Sequence, residues 1–231
     1  QEVLEFSGTT AAGLITIGNG GSLTGWGTAA SSFRASGLSM VVESGGQFIG
    51  GSTSSQTLRF DTTVNAGGVL DGFTIYQAMD LVNNGLFAPM GASSNHGVTL
   101  NASGGFSLTG SGAIRLDLFG NNDNEQFLFG NSPTVDFSGF SSIELLPDYS
   151  VQAGDTYDLW NLSSGTLDNI VFGSGSNIIL SGSPGFTLDP SDWASSGILT
   201  VVAVPEPASI GLLLGTGFLL LIIGQRKKRR G

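Results

Sequence analysis

Apolar and polar positions alternate in short runs along the first half of the chain: Leu14-Ile-Thr-Ile17, Ser39-Met-Val-Val42, Thr57-Leu-Arg-Phe60 and Val98-Thr-Leu100. A period of two predicts strands with one buried face. Between the runs a glycine-paced phrase recurs without gaps: Ile17-Gly-Asn-Gly-Gly-Ser-Leu-Thr-Gly25, Val42-Glu-Ser-Gly-Gly-Gln-Phe-Ile-Gly50 and Val64-Asn-Ala-Gly-Gly-Val-Leu-Asp-Gly72. Leu100-Asn-Ala-Ser-Gly-Gly-Phe-Ser-Leu-Thr-Gly110 reads as a fourth copy with one extra residue. Each phrase ends one strand on an aliphatic residue, turns on a glycine pair that accepts backbone angles other residues resist, and restarts on an apolar residue. Phrases beginning at residues 17, 42 and 64 suit coils of a β-solenoid, with an inserted loop before the fourth. An antiparallel sandwich with glycine-rich hairpins also fits the spacing. Helical periodicity before Ala208 is weak, and its best instance is the short segment Tyr76 to Leu86.

From Ala113 the wording changes. Ile114-Arg-Leu-Asp-Leu-Phe119 alternates, Gly120-Asn-Asn-Asp-Asn124 breaks the chain, and Gln126-Phe-Leu-Phe129 resumes. Further runs follow at Val135-Asp-Phe137, Ile143-Glu-Leu-Leu146, Tyr157-Asp-Leu-Trp160 and Ile198-Leu-Thr-Val-Val202. The body therefore divides into 1–112, the repeat coils, and 113–203, later coils and a cap, with a tail at 204–231. The open end of a stack is an unpaired strand edge that needs covering.

Composition changes this picture little, whereas charge changes it a good deal. Glycine supplies 37 of 231 residues and only 11% are charged, which favours turns over helices. Cysteine is absent, so neither a disulfide framework nor a thiolate metal site is available. Of eight Lys and Arg residues, five are Arg226, Lys227, Lys228, Arg229 and Arg230. Residues 1–204 keep Arg34, Arg59 and Arg115 against 17 acidic residues, and so lack the basic footprint that nucleic acid requires.

The tail has three parts in order. Val204-Pro205-Glu206-Pro207 is polar punctuation whose prolines bias the chain toward extended conformations. The uncharged run from Ala208 to Ile223 carries Ile210, Leu212, Leu213, Leu214, Phe218, Leu219, Leu220, Leu221, Ile222 and Ile223. As a single transmembrane helix over 208–224 it spans about 24 Å, short of a hydrocarbon core of about 30 Å unless the flanking cations snorkel. The basic tail at 225–231 then resists translocation, placing it in the cytoplasm and the acidic body outside.

Val204-Pro-Glu-Pro-Ala-Ser209, the short span and the arginine-rich end together resemble the PEP-CTERM family, over 28 of 231 residues. The resemblance implies recognition of the tail by exosortase, a membrane-embedded processing enzyme of Gram-negative bacteria that make extracellular polysaccharide. It also implies a transient anchor at the inner membrane followed by placement at the cell surface or in the matrix. The runs of 113–202, with Val151-Gln-Ala-Gly-Asp-Thr-Tyr-Asp-Leu159 as a landmark, resemble the C-terminal coils of autotransporter-type passenger domains. This second resemblance implies an all-β ectodomain built as a right-handed parallel β-helix whose last coils cap the stack. Export of the body further leads us to expect a signal peptide preceding Gln1.

Candidate chemistry is sparse. His96 is the only histidine, in a loop and without a partner at motif spacing. The glycine phrases are not followed by helices, so they offer pyrophosphate no helix N-terminus. Asn121, Asn122, Asp123, Asn124 and Glu125 align five oxygen-bearing side chains, but in neither an EF-hand nor a nonapeptide calcium spacing, and read as an Asx-rich turn. Asp155 with Asp158, or Asp189 with Asp192, would suit a glycosidase only if folded across a cleft. Trp26, Trp160 and Trp193 fall among strand-like runs that favour core packing over sugar stacking. The expectation is a protein without enzymatic activity or cofactor, with a polysaccharide-binding or adhesin-like module as the alternative.

Overall fold

The computed structural model describes residues 13–24, 32–50, 56–90 and 96–204. The described residues are mostly strand, 57% against 4% helix, and their parallel sheets curl into a half-barrel. Strands alternate between two sheets. β1 (Gly13–Ile17) is followed by β2 (Ser22–Thr24), β3 (Ser32–Val42) by β4 (Gln47–Ile49), β5 (Thr57–Val64) by β6 (Val69–Asp71) and β7 (Ile75–Asn83) by β8 (Leu86–Ala88). A longer pair follows, β9 (Gly97–Gly110) and β10 (Ala113–Gly120), after which β11 (Asp123–Asn124) folds back antiparallel on β10. Next come β12 (Gln126–Gly130), β13 (Thr134–Asp136), a 3-10 turn at Phe137–Gly139 and β14 (Ser142–Pro147). Beyond β15 (Thr156–Asp158) the last layer is β16 (Trp160–Leu162), β17 (Ile170–Val171) and β18 (Ile178–Leu180). The described chain ends with β19 (Phe186–Asp189), the one-turn helix α1 (Trp193–Ser196) and β20 (Ile198–Ala203).

One sheet runs β1-β3-β5-β7-β9-β12-β16 and the other β18-β14-β10-β8-β6-β4-β2, each strand parallel to those beside it along this path. Each turn of the chain thus lies on the previous one, as the glycine phrase predicts. Parallel pairing also departs from the antiparallel sandwich, whose strands would alternate in direction. Among the described residues antiparallel order is confined to the β10–β11 hairpin and to a three-stranded sheet, β15-β20-β19.

The core follows from register. In the second sheet Phe48, Leu70 and Phe87 stand in one column, continued by Ile114, Ile143 and Ile178, all buried. Burying such a side chain contributes about 1.5–3 kcal/mol. Aromatic rings fill the space between the sheets, with Phe48 4.7 Å from Phe73 and Tyr76 5.1 Å from Phe87. Several polar residues are buried as well, and Asn83, wholly buried, is satisfied by the backbone: its Nδ2 donates to the Ala113 carbonyl (2.9 Å) and its Oδ1 accepts from the Gly85 amide (3.2 Å).

Three of the four glycine phrases mark stacked turns, and the fourth does not. The Gln47, Val69 and Leu86 amides donate to the carbonyls of Gly21, Gly46 and Gly68, and the ladder continues through Ala113 to Gly85 and Ser141 to Gly112. The Gly104–Gly105 pair lies inside β9 instead. The next turns in the stack are built at Gly85 and Gly112, where Asn83 and Asn84 side chains bond the turn amides and one glycine suffices. Tyr76 to Leu86 is likewise strand, not helix. A register shift between Gln77 and Met79 moves the buried positions from Tyr76 to Met79 to Leu81, a step of three before a step of two that imitates helical spacing.

The expected membrane helix at 208–224 lies outside the described residues; among those described, no helix is long and apolar enough to cross a membrane. Trp26 also lies outside them.

Candidate sorting site

β20 carries the described chain to its end, and its alternation explains its place. Leu199 and Val201 are buried, whereas Ile198, Val202 and Val204 are exposed. Gly197, in the left-handed region (φ 80°), ends α1 and turns the chain into the strand; its amide donates to the Trp193 carbonyl (3.0 Å). β20 is the middle strand of its sheet, pairing Leu199 with Tyr157 on one side and Ala203 with Phe186 on the other. The Val204 amide donates to the Gly185 carbonyl (2.9 Å), so backbone pairing persists to the residue before Pro205. Of the expected sorting residues only Val204 is described. Pro205, Glu206, Pro207, the span from Ile210 to Ile223 and the cations Arg226 to Arg230 lie outside.

Beneath this sheet an aromatic cluster closes the last layer of strands. Trp193 packs on Phe172 at 5.4 Å and Phe137 at 5.5 Å, and Trp160 stacks on Phe172 at 4.9 Å. Both indoles are satisfied, Trp160 Nε1 by the Trp193 carbonyl (2.8 Å) and Trp193 Nε1 by the Phe172 carbonyl (3.0 Å).

Several of the remaining candidates are engaged in hydrogen bonds within the fold. Asn121 Oδ1 accepts from the Thr156 amide and Asn124 Nδ2 donates to the Glu125 and Asp158 carbonyls, while Glu125 Oε2 accepts from the Asp117 amide. These oxygens tie the β10–β11 hairpin to its neighbours, as an Asx-rich turn does. His96 is brought to this hairpin, its Nε2 3.4 Å from Asp123 Oδ1 and its ring 4.3 Å from that of Phe119. Asp155 accepts from the Gln152 amide and the Tyr149 hydroxyl, and Asp189 from the Ser191 amide. Among the described residues no group of three or more His, Cys, Asp or Glu side chains is placed to hold a metal ion.

A feature with no sequence signal is a shallow, open depression of about 390 Å³ on the outer face of the first sheet. Parallel register aligns Asp80, Ser107 and Thr134 there; the Asp80 amide donates to Asp61 Oδ1 (2.9 Å), and Ser107 Oγ to Asp80 Oδ1 (2.5 Å). The four residues are dispersed along the chain, and only the register brings them together.

Three partly buried carboxylates bear on how stability depends on pH. Burial raises Asp71, helped by Asp117 and opposed by Arg115; burial also raises Asp117, opposed by Arg115 and helped by Asp148. Asp158 is raised by burial as well, against a backbone hydrogen bond from Trp160. A raised native pKa means that the folded state binds more protons than the unfolded state, so stability falls as pH climbs above the ordinary value of 3.8 through the raised values. We expect the melting temperature of the full chain to rise as pH is lowered from neutral toward about 4, where these carboxylates contribute most. A constant or falling melting temperature over that range would contradict this reading.

The end of β20 fixes where a comparison with known families bears. The model of the PEP-CTERM protein-sorting motif matches residues 203–230, beginning on the last residue of β20. The chain carries a PEP-CTERM protein-sorting motif at its C-terminal end. No curated protein and no solved structure matches it. The motif implies export and membrane-associated processing by exosortase, in agreement with the punctuation, apolar run and basic end of the tail. The sorting motif was legible because its three parts are contiguous in sequence. The strand that presents it was legible only as an alternating run, since its neighbours β15 and β19 are joined to it by pairing that sequence does not declare.

Proposed function

We propose that the chain is a non-enzymatic structural protein of the extracellular polysaccharide matrix of a Gram-negative bacterium. Its body, 1–203, is a right-handed parallel β-helix with the C-terminal antiparallel sheet as its cap. The helix 208–224 holds the body transiently at the inner membrane with the basic tail 225–231 in the cytoplasm, until exosortase processes the motif. The observation that carries this reading is that a stacked parallel-strand body ends in an antiparallel sheet whose middle strand runs directly into the sorting motif at Ala203. Exposed large apolar side chains among the described residues, such as Val171 and Ile179, are aliphatic, while Phe119, Tyr149 and Phe186 are only partly exposed, which favours a structural role over sugar stacking.

Cell fractionation tests the role. The mature chain is expected in the extracellular polysaccharide fraction, released from it when the polysaccharide is enzymatically degraded. Recovery of the mature chain in the membrane fraction, indifferent to that degradation, would contradict a matrix role.

A further inference from the structure

Ala203 belongs both to β20 and to the matched motif, so no linker separates the folded body from the segment that exosortase must take. Pro205, Glu206 and Pro207 are all that lie between Val204 and the apolar run beginning at Ala208. Even fully extended, the step from Val204 to Ala208 reaches no more than about 14 Å. A processing enzyme takes its substrate as an extended chain in a cleft, and a paired sheet so close to the membrane competes for the same backbone.

How β20 is held shows which part can yield. Val201 is buried, with its amide donating to the Asp155 carbonyl (2.8 Å) and its carbonyl accepting from the Gly154 amide (2.9 Å). Past Val201 the described pairing runs along the β19 side alone, Val202 with Thr187, Ala203 with Phe186 and Val204 with Gly185. Val202, Ala203 and Val204 are exposed, so detaching them uncovers no core. The next residue inward is buried Val201, which gives the peeling a natural stop.

We propose that the end of β20 is a clamp: Val202 to Val204 must peel from β19 before exosortase can process the sorting segment. Peeling lengthens the free chain before Ala208 from about 14 Å to about 25 Å, measured from Val201. Processing then tracks the fraction of molecules with the strand end open. The clamp rests on the exosortase reading, and the experiment separates the two.

The chain contains no cysteine, so a double variant, Thr187→Cys with Val202→Cys, places one new pair across β19 and β20. Directly opposed antiparallel residues lie within disulfide reach, about 5 Å between Cα atoms. The full chain is produced with exosortase in cells and its intact mass is followed in time. The oxidised variant is expected to be processed at least about tenfold more slowly than the unsubstituted chain, and dithiothreitol to restore the rate, which separates locking from misfolding. A second variant, with six Gly and Ser residues inserted after Val204, is expected to be processed several-fold faster. Processing of the oxidised variant at the unsubstituted rate would overturn the clamp alone. An unsubstituted chain left unprocessed would overturn the exosortase reading and the clamp with it.

Discussion

Replacing Gly112 with alanine is expected to lower the unfolding free energy by about 3 kcal/mol. A Cβ at this position would stand against the Gly85 carbonyl oxygen, the Gly85 amide nitrogen and the Asn84 carbonyl carbon. All three are backbone atoms of the preceding turn, with no flexible side chain able to move aside. Separating the turns would stretch the Gly112 to Asn83 and Ala113 to Gly85 hydrogen bonds, 2.9 and 2.8 Å long. Urea unfolding of the full chain in mild detergent should show a lower midpoint with an unchanged slope. Gly18→Ala is the control: its Cβ would meet nothing within 4 Å, and the expected change is within about 0.5 kcal/mol. Equal midpoints for the two variants would contradict the stacking of glycine turns.

Trp193→Ala is expected to cost about 4 kcal/mol. The indole is almost wholly buried, 1% exposed, and is shared by two ring contacts and a hydrogen bond to the Phe172 carbonyl. Its removal leaves a cavity beneath β20, where the body closes and the sorting motif begins. Trp193→Phe keeps a ring while losing the donor, and about 1 kcal/mol is expected to be lost. If the alanine variant melted with the unsubstituted chain, Trp193 would not be the keystone of the C-terminal cluster that its contacts describe.

These two sites also show what the sequence could reveal. Strands were legible wherever apolar residues alternate without interruption, as from Ile114 to Phe119, because one face of β10 is buried throughout. Stacking was legible from three glycine pairs, and at Gly45–Gly46 and Gly67–Gly68 a close approach to the preceding turn excludes a side chain. The rest was hidden by non-local causes. Gly112 stands in the same column as Gly21, Gly46, Gly68 and Gly85, yet has no glycine beside it, because Asn84 bonds Ser111 from the neighbouring turn. The Gly104–Gly105 pair matched the phrase but fell within a long strand that pairs with β7 near both ends, with β12 at its start and with β13 near its end. His96 meets Asp123 only because β12 is laid beside β9. The sorting motif is the opposite case: its meaning lies in contiguous chemistry, so it was readable without any fold.

Processing of the sorting motif by exosortase would deliver the body by its tail and then part the two. The most direct measurement is the intact mass of the chain produced in cells with and without exosortase. With the enzyme, we expect a mature chain that has lost the mass of the apolar run and basic end beyond the sorting motif, and without it a chain that retains them. The same mass in both cells would contradict the claim.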